Sequence, residues 1–146
     1  MTASILALSL LFSAAGMASA SPTGDKIAST AKSYVGKVKY RWGVRDPRHL
    51  IFDCSSFTQF IYQRNGVHIG WGANAQTKYG KSVYSKSKLQ KGDLVMLSTS
   101  RPGKIGHVGI YVGNGKFVHA IQSGSVVSDL YSGYWKNRFV KGTHVK

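Results

Sequence analysis

The chain has 146 residues, 42% of them hydrophobic, and this length and composition predict one folded domain with a single core. Twenty Lys and Arg residues are balanced by only five Asp and no Glu, so the formal net charge of +15 concentrates polyanions at the surface. Cys54 is the only cysteine of the chain, which excludes an intramolecular disulfide.

Residues 1–20 are typical of a secretory signal peptide. They carry no charge, contain an apolar run from Ile5 to Phe12 and end in Ala18-Ser19-Ala20, a small-x-small cleavage pattern. The apolar run is too short to span a bilayer, although the segment also lacks the basic residues that usually open a signal peptide. We expect residues 21–146 to form one exported, monomeric domain, outside the cell or in the periplasm, without stable membrane insertion.

Two helices are predicted in the first half of the chain. Asp25 to Val35 has apolar residues at helical spacing, and Gly36 ends the pattern. Asp53 to Arg64 repeats the pattern and ends at Asn65-Gly66. The first half is therefore expected to be helical.

The second half of the chain predicts strands, because its apolar residues alternate or form short runs between Gly- and Asn-containing turns. The predicted strands are Leu94–Leu97, Val108–Val112, Phe117–Ile121, Val126–Leu130 and Phe139–Val145. Helices followed by consecutive strands with short links indicate an α+β fold, in which helices pack on one side of an antiparallel sheet.

Cys54 is the candidate nucleophile. It follows Asp53 at the predicted start of the second helix, where a carboxylate caps free N–H groups and the helix dipole favours a negative charge. We expect this position to lower the pKa of the thiol and to promote the thiolate. The alternative for a lone cysteine is a small buried core residue.

His107 and His119, on consecutive predicted strands, can meet only if the loop between these strands has an odd length. Side chains alternate faces along a strand, so a two-residue Asn114-Gly115 turn would place His107 and His119 on opposite faces. A three-residue loop from Gly113 to Gly115 pairs His107 with Ile121, and His119 then lies diagonally on the same face. We predict the odd-length loop.

Three ordered blocks of sequence stand out: Asp53-Cys54-Ser55-Ser56-Phe57, Lys91-Gly92-Asp93-Leu94-Val95 and His107-Val108-Gly109-Ile110-Tyr111-Val112-Gly113-Asn114-Gly115-Lys116-Phe117-Val118-His119-Ala120. Together they resemble the NlpC-type cell-wall cysteine peptidases, a bacterial branch of the papain-like fold. The similarity extends to Tyr40-x-Trp42-Gly43 and to Gln76, so it covers nearly all of the chain after residue 20.

The resemblance implies a papain-like α+β domain, with N-terminal helices on a mostly antiparallel sheet of five or six strands and the nucleophile at a helix N-terminus. It also implies a catalytic triad of Cys54 as nucleophile, His107 as general base and His119 as the residue that orients His107. Nucleophilic catalysis independently requires a base beside the thiol and a third group that stabilises the imidazolium.

By the same resemblance, three further residues line the substrate pocket. The Tyr40 hydroxyl is expected close to the thiol, and Asp53 and Ser55 are expected to hold the free amine of a short stem peptide. Their structural alternatives are a half-buried strand residue for Tyr40 and helix-start hydrogen bonds for the other two.

The chain departs from the family pattern at two positions and in one basic stretch. Ser56 and Val44 stand where relatives often have Gly. Arg45, Arg48 and His49 make the following stretch basic, which fits either recognition of a substrate carboxylate or a solvated loop.

The function that the resemblance implies is secreted peptidoglycan hydrolysis, at the D-γ-glutamyl to diamino-acid bond of murein stem peptides (a DL-endopeptidase). The alternatives are an N-acetylmuramoyl-L-alanine amidase and a non-catalytic protein that binds wall polymer or nucleic acid through Trp42, Trp71 and Trp135. The spread of basic residues favours anionic cell-wall polymers as partners over a specific nucleic acid. No cofactor and no metal site are indicated, and His49, His68 and His144 are expected to be structural.

Overall fold

The computed structural model of the protein describes residues 22–145. The predicted signal peptide, residues 1–20, lies outside the described residues. Among residues 22–145, no helix is both long enough and apolar enough to cross a membrane.

Two helices and one short helical turn precede the main sheet. The first helix, α1, runs from Pro22 to Ser33 and begins three residues before the predicted start. The second helix, α2 (Cys54–Gln63), carries the single cysteine at its first position and buries Phe57 and Ile61 completely. Each such side chain contributes roughly 1.5–3 kcal/mol when it leaves water. The short helix α3 (Ala73–Gln76) was not predicted.

A capping box fixes the start of α2. Asp53 lies before the helix with extended backbone, and its Oδ1 accepts the N–H of Ser56 at 2.8 Å. In return, the Ser56 hydroxyl accepts the N–H of Asp53 at 3.0 Å. These reciprocal bonds satisfy two helix-start donors and hold Cys54 at the first turn.

A small three-stranded sheet leads into α2. It consists of β1 (Lys39–Tyr40), β2 (Arg45–Asp46) and β3 (Ile51–Phe52), with β3 in the centre, parallel to β1 and antiparallel to β2. Its two-residue strands are too short for a periodic sequence signal, so this sheet was not predicted. The sheet fixes Tyr40 and delivers the chain directly to the α2 cap.

The main sheet has six antiparallel strands in the order β4-β9-β5-β6-β7-β8. Its strands are β4 (Gly80–Val83), β5 (Leu94–Ser98), β6 (Ile105–Gly113), β7 (Lys116–Ile121), β8 (Gly124–Asp129) and β9 (Phe139–Val145). Five of them correspond to predicted strands, and the α+β architecture is confirmed. The additional edge strand β4 has a largely polar sequence and pairs with β9.

The sheet packs apolar side chains on both faces. On one face, Leu94 and Met96 join the core formed with α1 and α2. Val95 and Leu97 point to the other face, as strand alternation requires, and pack with Phe117 under the loops that connect the strands. The helices thus cover one side of the sheet, as predicted.

The β6–β7 hairpin has the predicted register, but the loop that produces it differs. Gly113 pairs with Lys116, so the turn has only two residues, Asn114 and Gly115, both with positive φ. The extra residue lies within β6, where the register shifts between Tyr111 and Gly113. Beyond this bulge Ile110 pairs with Val118. If this register is continued along the two strands, His107 lies opposite Ile121.

Candidate active site

Cys54 lies at the N-terminus of α2, half-buried at the bottom of a groove of about 690 Å³. The backbone amides of Val108, on β6, and of Cys54 and Ser55 lie close enough to Sγ to lower the thiol pKa. The amides of Cys54 and Ser55 belong to the first helical turn, where no carbonyl of the helix can accept them. The thiol therefore lies where α2 meets β6, against Val108, which is the residue that follows His107.

His107 and His119 are in direct hydrogen-bond contact. They lie on the neighbouring strands β6 and β7, with 2.8 Å between Nε2 of His107 and Nδ1 of His119, and both are buried. Gly109 makes this approach possible, because a Cβ there would lie 3.0 Å from the His119 Cβ and 2.9 Å from the Val118 carbonyl oxygen. The arrangement leaves Nδ1 of His107 as the ring nitrogen available to a thiol.

Aromatic rings enclose the two imidazoles. Trp135, at the end of a 3-10 turn, stacks on His107 and meets His119 edge-on at 5.3 Å between ring centroids. The Phe117 ring lies 4.4 Å from the His119 ring. Sequence reasoning named Trp135 only as a binding platform of the non-catalytic alternative, because it lies in a segment with no periodic pattern.

Ser128 is a polar contact of His119 that sequence reasoning missed. Its Oγ lies 2.8 Å from Nε2 of His119. Phe117 pairs with Ser128 in the β7–β8 ladder, so the two strands place Ser128 diagonally across from His119 on the same face. A serine within the mostly apolar strand pattern 126–130 was the signal available in the sequence.

Burial controls the protonation of the site. It raises the pKa of Cys54 to about 11 and lowers the pKa of His107 to about 4 and that of His119 to about 3. The nearby Asp53 carboxylate raises the thiol pKa further, and His107 lowers that of His119. The expected lowering of the thiol pKa is therefore not found, because desolvation outweighs the amides of the helix start. Burial therefore favours a neutral thiol and neutral imidazoles in the resting site.

Five of the six predicted site residues line the same groove. Tyr40, Asp53 and Ser55 border it together with Cys54 and His107. His119 lies behind His107, away from the groove. A second depression of about 400 Å³ shares Tyr40 and His107 with the groove and is also lined by Ile121 and Trp135.

The Asp53 carboxylate is shared between the helix cap and the groove wall. Besides the Ser56 amide, it accepts the Ser55 hydroxyl at 3.2 Å and the indole N–H of Trp71 at 3.1 Å. Ser55 in turn accepts the backbone N–H of Gly72 at 3.1 Å. The predicted helix-start role of both residues is present, and both remain at the groove. Tyr40 lies in β1 at the groove, and burial, followed by the charges of Cys54 and Asp53, raises its pKa.

The departures from the family pattern contact each other. The Ser56 hydroxyl donates to the Val44 carbonyl at 2.7 Å, which joins α2 to the loop before β2. Arg45 stacks over the Trp71 ring at 4.8 Å and donates to the Gln59 side chain at 2.9 Å. Arg45 is thus fixed beside a groove residue, whereas His49 pairs with Asp46 on the exposed surface.

Gln76 holds the far wall of the groove against α2. Its side-chain amide donates to the carbonyls of Ser55 and Gly70, both at 2.8 Å, and accepts the Thr58 hydroxyl at 2.7 Å. Because Gln76 is fully buried, these bonds fix the segment that carries Trp71.

The remaining histidines lie away from the groove. His144 is hydrogen-bonded to the buried Asp93 at 2.7 Å, and His68 lies edge-on to the Tyr79 ring. Within residues 22–145, no group of three or more His, Cys, Asp or Glu side chains is arranged to hold a metal ion.

The chain is similar to cell-wall enzymes in sequence. It is 42% identical over 117 residues to the peptidoglycan DL-endopeptidase CwlO of Bacillus licheniformis, which covers 76% of this chain and 25% of CwlO. It is 38% identical over 110 residues to the murein DD-endopeptidase/murein LD-carboxypeptidase MepS of Escherichia coli, which covers 74% of this chain and 56% of MepS. The chain thus spans between a quarter and just over half of these relatives.

A solved structure and a family model agree with these relatives. NlpC2 from Trichomonas vaginalis superposes with a TM-score of 0.73 at 26% identity, over 88% of this chain and 49% of that one. The model of the NlpC/P60 family matches residues 36–144, which include the whole groove and both buried histidines. The chain therefore belongs to the NlpC/P60 family, and its fold is the papain-like fold of that family.

Proposed function

We propose that this protein is a cysteine peptidase that hydrolyses the stem peptides of peptidoglycan, at the bond between D-γ-glutamate and the diamino acid. The observation that carries this proposal is the buried 2.8 Å contact between His107 and His119 directly behind a groove whose floor holds Cys54. The names of the relatives CwlO and MepS support hydrolysis of peptidoglycan as the reaction.

In the proposed mechanism, the neutral Cys54 thiol transfers its proton to Nδ1 of His107 as Sγ attacks the substrate carbonyl carbon. The imidazolium then protonates the leaving amine, and the S-acyl intermediate is hydrolysed by water with His107 again acting as base. His119 stabilises the transient imidazolium by accepting the Nε2–H of His107. Because the Cys54 thiol and the His107 imidazole are both neutral at rest, the thiolate–imidazolium pair forms only during turnover.

The start of α2 supplies the donors for the developing oxyanion. The backbone N–H of Cys54 lies beside Sγ and has no helical acceptor. A carbonyl carbon within bonding distance of Sγ places its oxygen near this amide. Removing one such donor in an enzyme costs about 10²- to 10³-fold in kcat, so the amide is a major contributor to the rate.

The proposed substrate crosses His107 from one depression to the other. The free amine of the stem peptide binds at the Asp53 carboxylate, with Ser55 beside it and Tyr40 near the thiol. The scissile carbonyl then reaches Cys54, and the diamino acid leaves on the side bounded by Ile121. An acidic group suits the amine because opposite charges attract most strongly in a partly desolvated groove.

A bond elsewhere in the stem is the second candidate. CwlO is named a DL-endopeptidase, whereas MepS is named a DD-endopeptidase and LD-carboxypeptidase. The higher identity to CwlO, and a carboxylate at the groove for a free amine, favour the DL bond. The site of action that we propose is the cell wall outside the cytoplasm, where the net charge of +15 favours contact with anionic wall polymers.

Digestion of purified peptidoglycan tests this proposal. The full chain and its Cys54→Ala variant are incubated with intact sacculi and, separately, with stem peptides whose amine is free, and the products are identified by mass spectrometry. We expect the wild type alone to yield products, with masses that correspond to cleavage after D-γ-glutamate. Val127→Ala, on the exposed side of β8, serves as a folded control with wild-type release.

The other outcomes separate the alternatives. Fragments that retain the whole stem peptide and lack sugar would identify an amidase instead. Equal release by Cys54→Ala would contradict the cysteine mechanism. If both proteins bind sacculi and neither cleaves the sacculi or the free stem peptides, the chain is a wall-binding domain, and the peptidase proposal fails.

A further inference from the structure

Ser128 lies at the end of a continuous hydrogen-bond chain that begins at the groove. His107 Nε2 and His119 Nδ1 are 2.8 Å apart, and His119 Nε2 and Ser128 Oγ are also 2.8 Å apart. The three residues come from the three adjacent strands β6, β7 and β8. These two hydrogen bonds use both ring nitrogens of His119, so the tautomers of His107 and His119 depend on each other.

The function proposed for His107 fixes the direction of every bond in this chain. A base that takes a proton at Nδ1 carries its own hydrogen on Nε2, so His107 donates to Nδ1 of His119. His119, having an acceptor at Nδ1, then carries its hydrogen on Nε2 and donates to Ser128 Oγ. The opposite tautomer of His119 would put two hydrogens between the rings and force His107 into the form that cannot act as a base.

Among the side chains packed against His119, Ser128 offers the matching acceptor. His107 approaches from β6 and occupies Nδ1. Phe117, from the same strand, and Trp135, from the turn before β9, present rings to the imidazole, and an indole N–H can only donate. The hydroxyl of Ser128 lies on β8 at Nε2, and a hydroxyl oxygen accepts an N–H readily.

We propose that Ser128 is a positioning residue for catalysis, which holds His119 in the Nε2–H tautomer and thereby keeps Nδ1 of His107 free to accept the thiol proton. The tautomer assigned to His119 rests on the base role proposed for His107, but it is measured independently of activity. Ser128 itself touches neither the groove nor the thiol and acts through His119.

Nuclear magnetic resonance measures the tautomers directly. In the full chain labelled with ¹⁵N-histidine, long-range ¹H–¹⁵N correlations distinguish a protonated Nε2 from a protonated Nδ1. At neutral pH we expect both His107 and His119 to carry the hydrogen on Nε2. In Ser128→Ala we expect the His119 signals to show a mixture of tautomers. A pure Nδ1–H form of His119 in the wild type, or unchanged signals in Ser128→Ala, would overturn the proposal.

Kinetics on a soluble stem peptide supply the second readout. The loss of the hydrogen bond between His119 and Ser128 predicts a kcat about 10-fold lower in Ser128→Ala, with KM unchanged. Ser128→Thr retains the hydroxyl and is expected to restore most of the kcat. Val127→Ala, the neighbouring residue on the exposed face of β8, is the matched control and keeps wild-type kinetics. Equal kcat in Ser128→Ala, or no recovery in Ser128→Thr, would contradict the role.

The two readouts separate this inference from the proposed function. If the wild type hydrolyses no stem peptide, the peptidase proposal fails, and the tautomer measurement alone decides whether Ser128 orients His119. If the wild type is active and the tautomers do not respond to Ser128, the peptidase proposal stands and the role of Ser128 is rejected.

Discussion

The indole of Trp135 lies nearly parallel to the imidazole of His107, with 5.0 Å between the ring centroids and 16° between the planes. The same indole meets His119 edge-on, so one side chain contacts both histidines of the site. By covering His107 from the loop side, it keeps water away from the imidazole. The low pKa of His107 and the orientation of its ring therefore depend on a residue outside the proposed triad.

Replacing Trp135 is expected to impair the base. In Trp135→Ala, water reaches His107, so its pKa moves from about 4 towards the ordinary value of 6.5. We expect kcat to fall about 10-fold or more, because the imidazole loses the stacked ring that orients it. Trp135→Phe keeps a stacking ring and is expected to retain most of the activity. The pKa is followed by NMR titration of the imidazole, with Tyr84→Ala, an exposed aromatic away from the groove, as control. An unchanged pKa of His107 in Trp135→Ala would contradict the shielding role.

Alkylation of the free enzyme reports the resting state of the thiol. Because burial raises the pKa of Cys54 to about 11 and lowers that of His107 to about 4, the neutral pair predominates at neutral pH. We expect the rate of reaction of Cys54 with iodoacetamide to rise steadily from about pH 7 to pH 10, since only the thiolate reacts. A rate that is constant between about pH 5 and pH 8 would instead reveal a preformed thiolate–imidazolium pair.

The buried imidazoles also make folding stability depend on pH. The folded pKa values of His107 and His119, about 4 and about 3, lie below the unfolded value of 6.5. The unfolded chain therefore binds more protons below pH 6.5, and the free energy of unfolding falls as the pH falls. Each histidine contributes about 1.4 kcal/mol per pH unit, or about 2 kcal/mol between pH 6.5 and pH 5.

Urea unfolding of His119→Gln at pH 7 and pH 5 tests this assignment. Glutamine does not titrate, so the loss of stability on acidification should be smaller than in the wild type by about 2 kcal/mol. His68→Gln replaces a histidine distant from the groove and should leave the wild-type loss unchanged. Equal losses in His119→Gln and the wild type would mean that His119 does not hold its low pKa in the folded protein.

Two substitutions at Asp53 separate its two roles. Asp53→Asn keeps an oxygen that can cap α2 but removes the charge, so we expect stability within about 0.5 kcal/mol of wild type and a KM for stem peptide raised about 10-fold. Asp53→Ala also removes the cap and should cost about 1 kcal/mol of stability in addition. Thermal unfolding and steady-state kinetics measure the two effects independently.

Ser56→Ala is the matched control for the cap. It breaks the other half of the capping box without altering the groove carboxylate, so stability should fall while KM stays at the wild-type value. If Asp53→Asn leaves KM unchanged, the carboxylate does not bind the substrate amine, and its role is confined to the helix start.

The elements with long periodic patterns were predictable from sequence. Cys54–Gln63 buries Phe57 and Ile61 one helical turn apart, and Lys116–Ile121 buries its central apolar residues, so burial and local geometry agree. The two-residue strands before α2 and the polar edge strand Gly80–Val83 were missed, because they are specified by pairing partners distant in sequence.

The part of the site that was predictable from sequence is the part specified by strand alternation and by the family motif. Parity brought His107 and His119 to one face, although the bulge that achieves it lies in β6 and not in the loop. Ser128 and Trp135 could not be assigned in the same way, since their contacts arise only when β8 and the loop before β9 pack against β7. The thiol pKa was misjudged because a sequence shows the helix start but not the depth of the groove.

The shared use of Asp53 constrains how this protein can change. Its carboxylate caps the helix that carries Cys54 and at the same time forms part of the groove wall through Ser55 and Trp71. A substitution of Asp53 that alters the groove wall also weakens or removes the hydrogen bond that caps the helix carrying Cys54. Substitutions that change substrate preference are therefore expected at groove residues that do not also cap the helix. Trp42, at the exposed rim, is such a residue, because its replacement leaves the helix start intact.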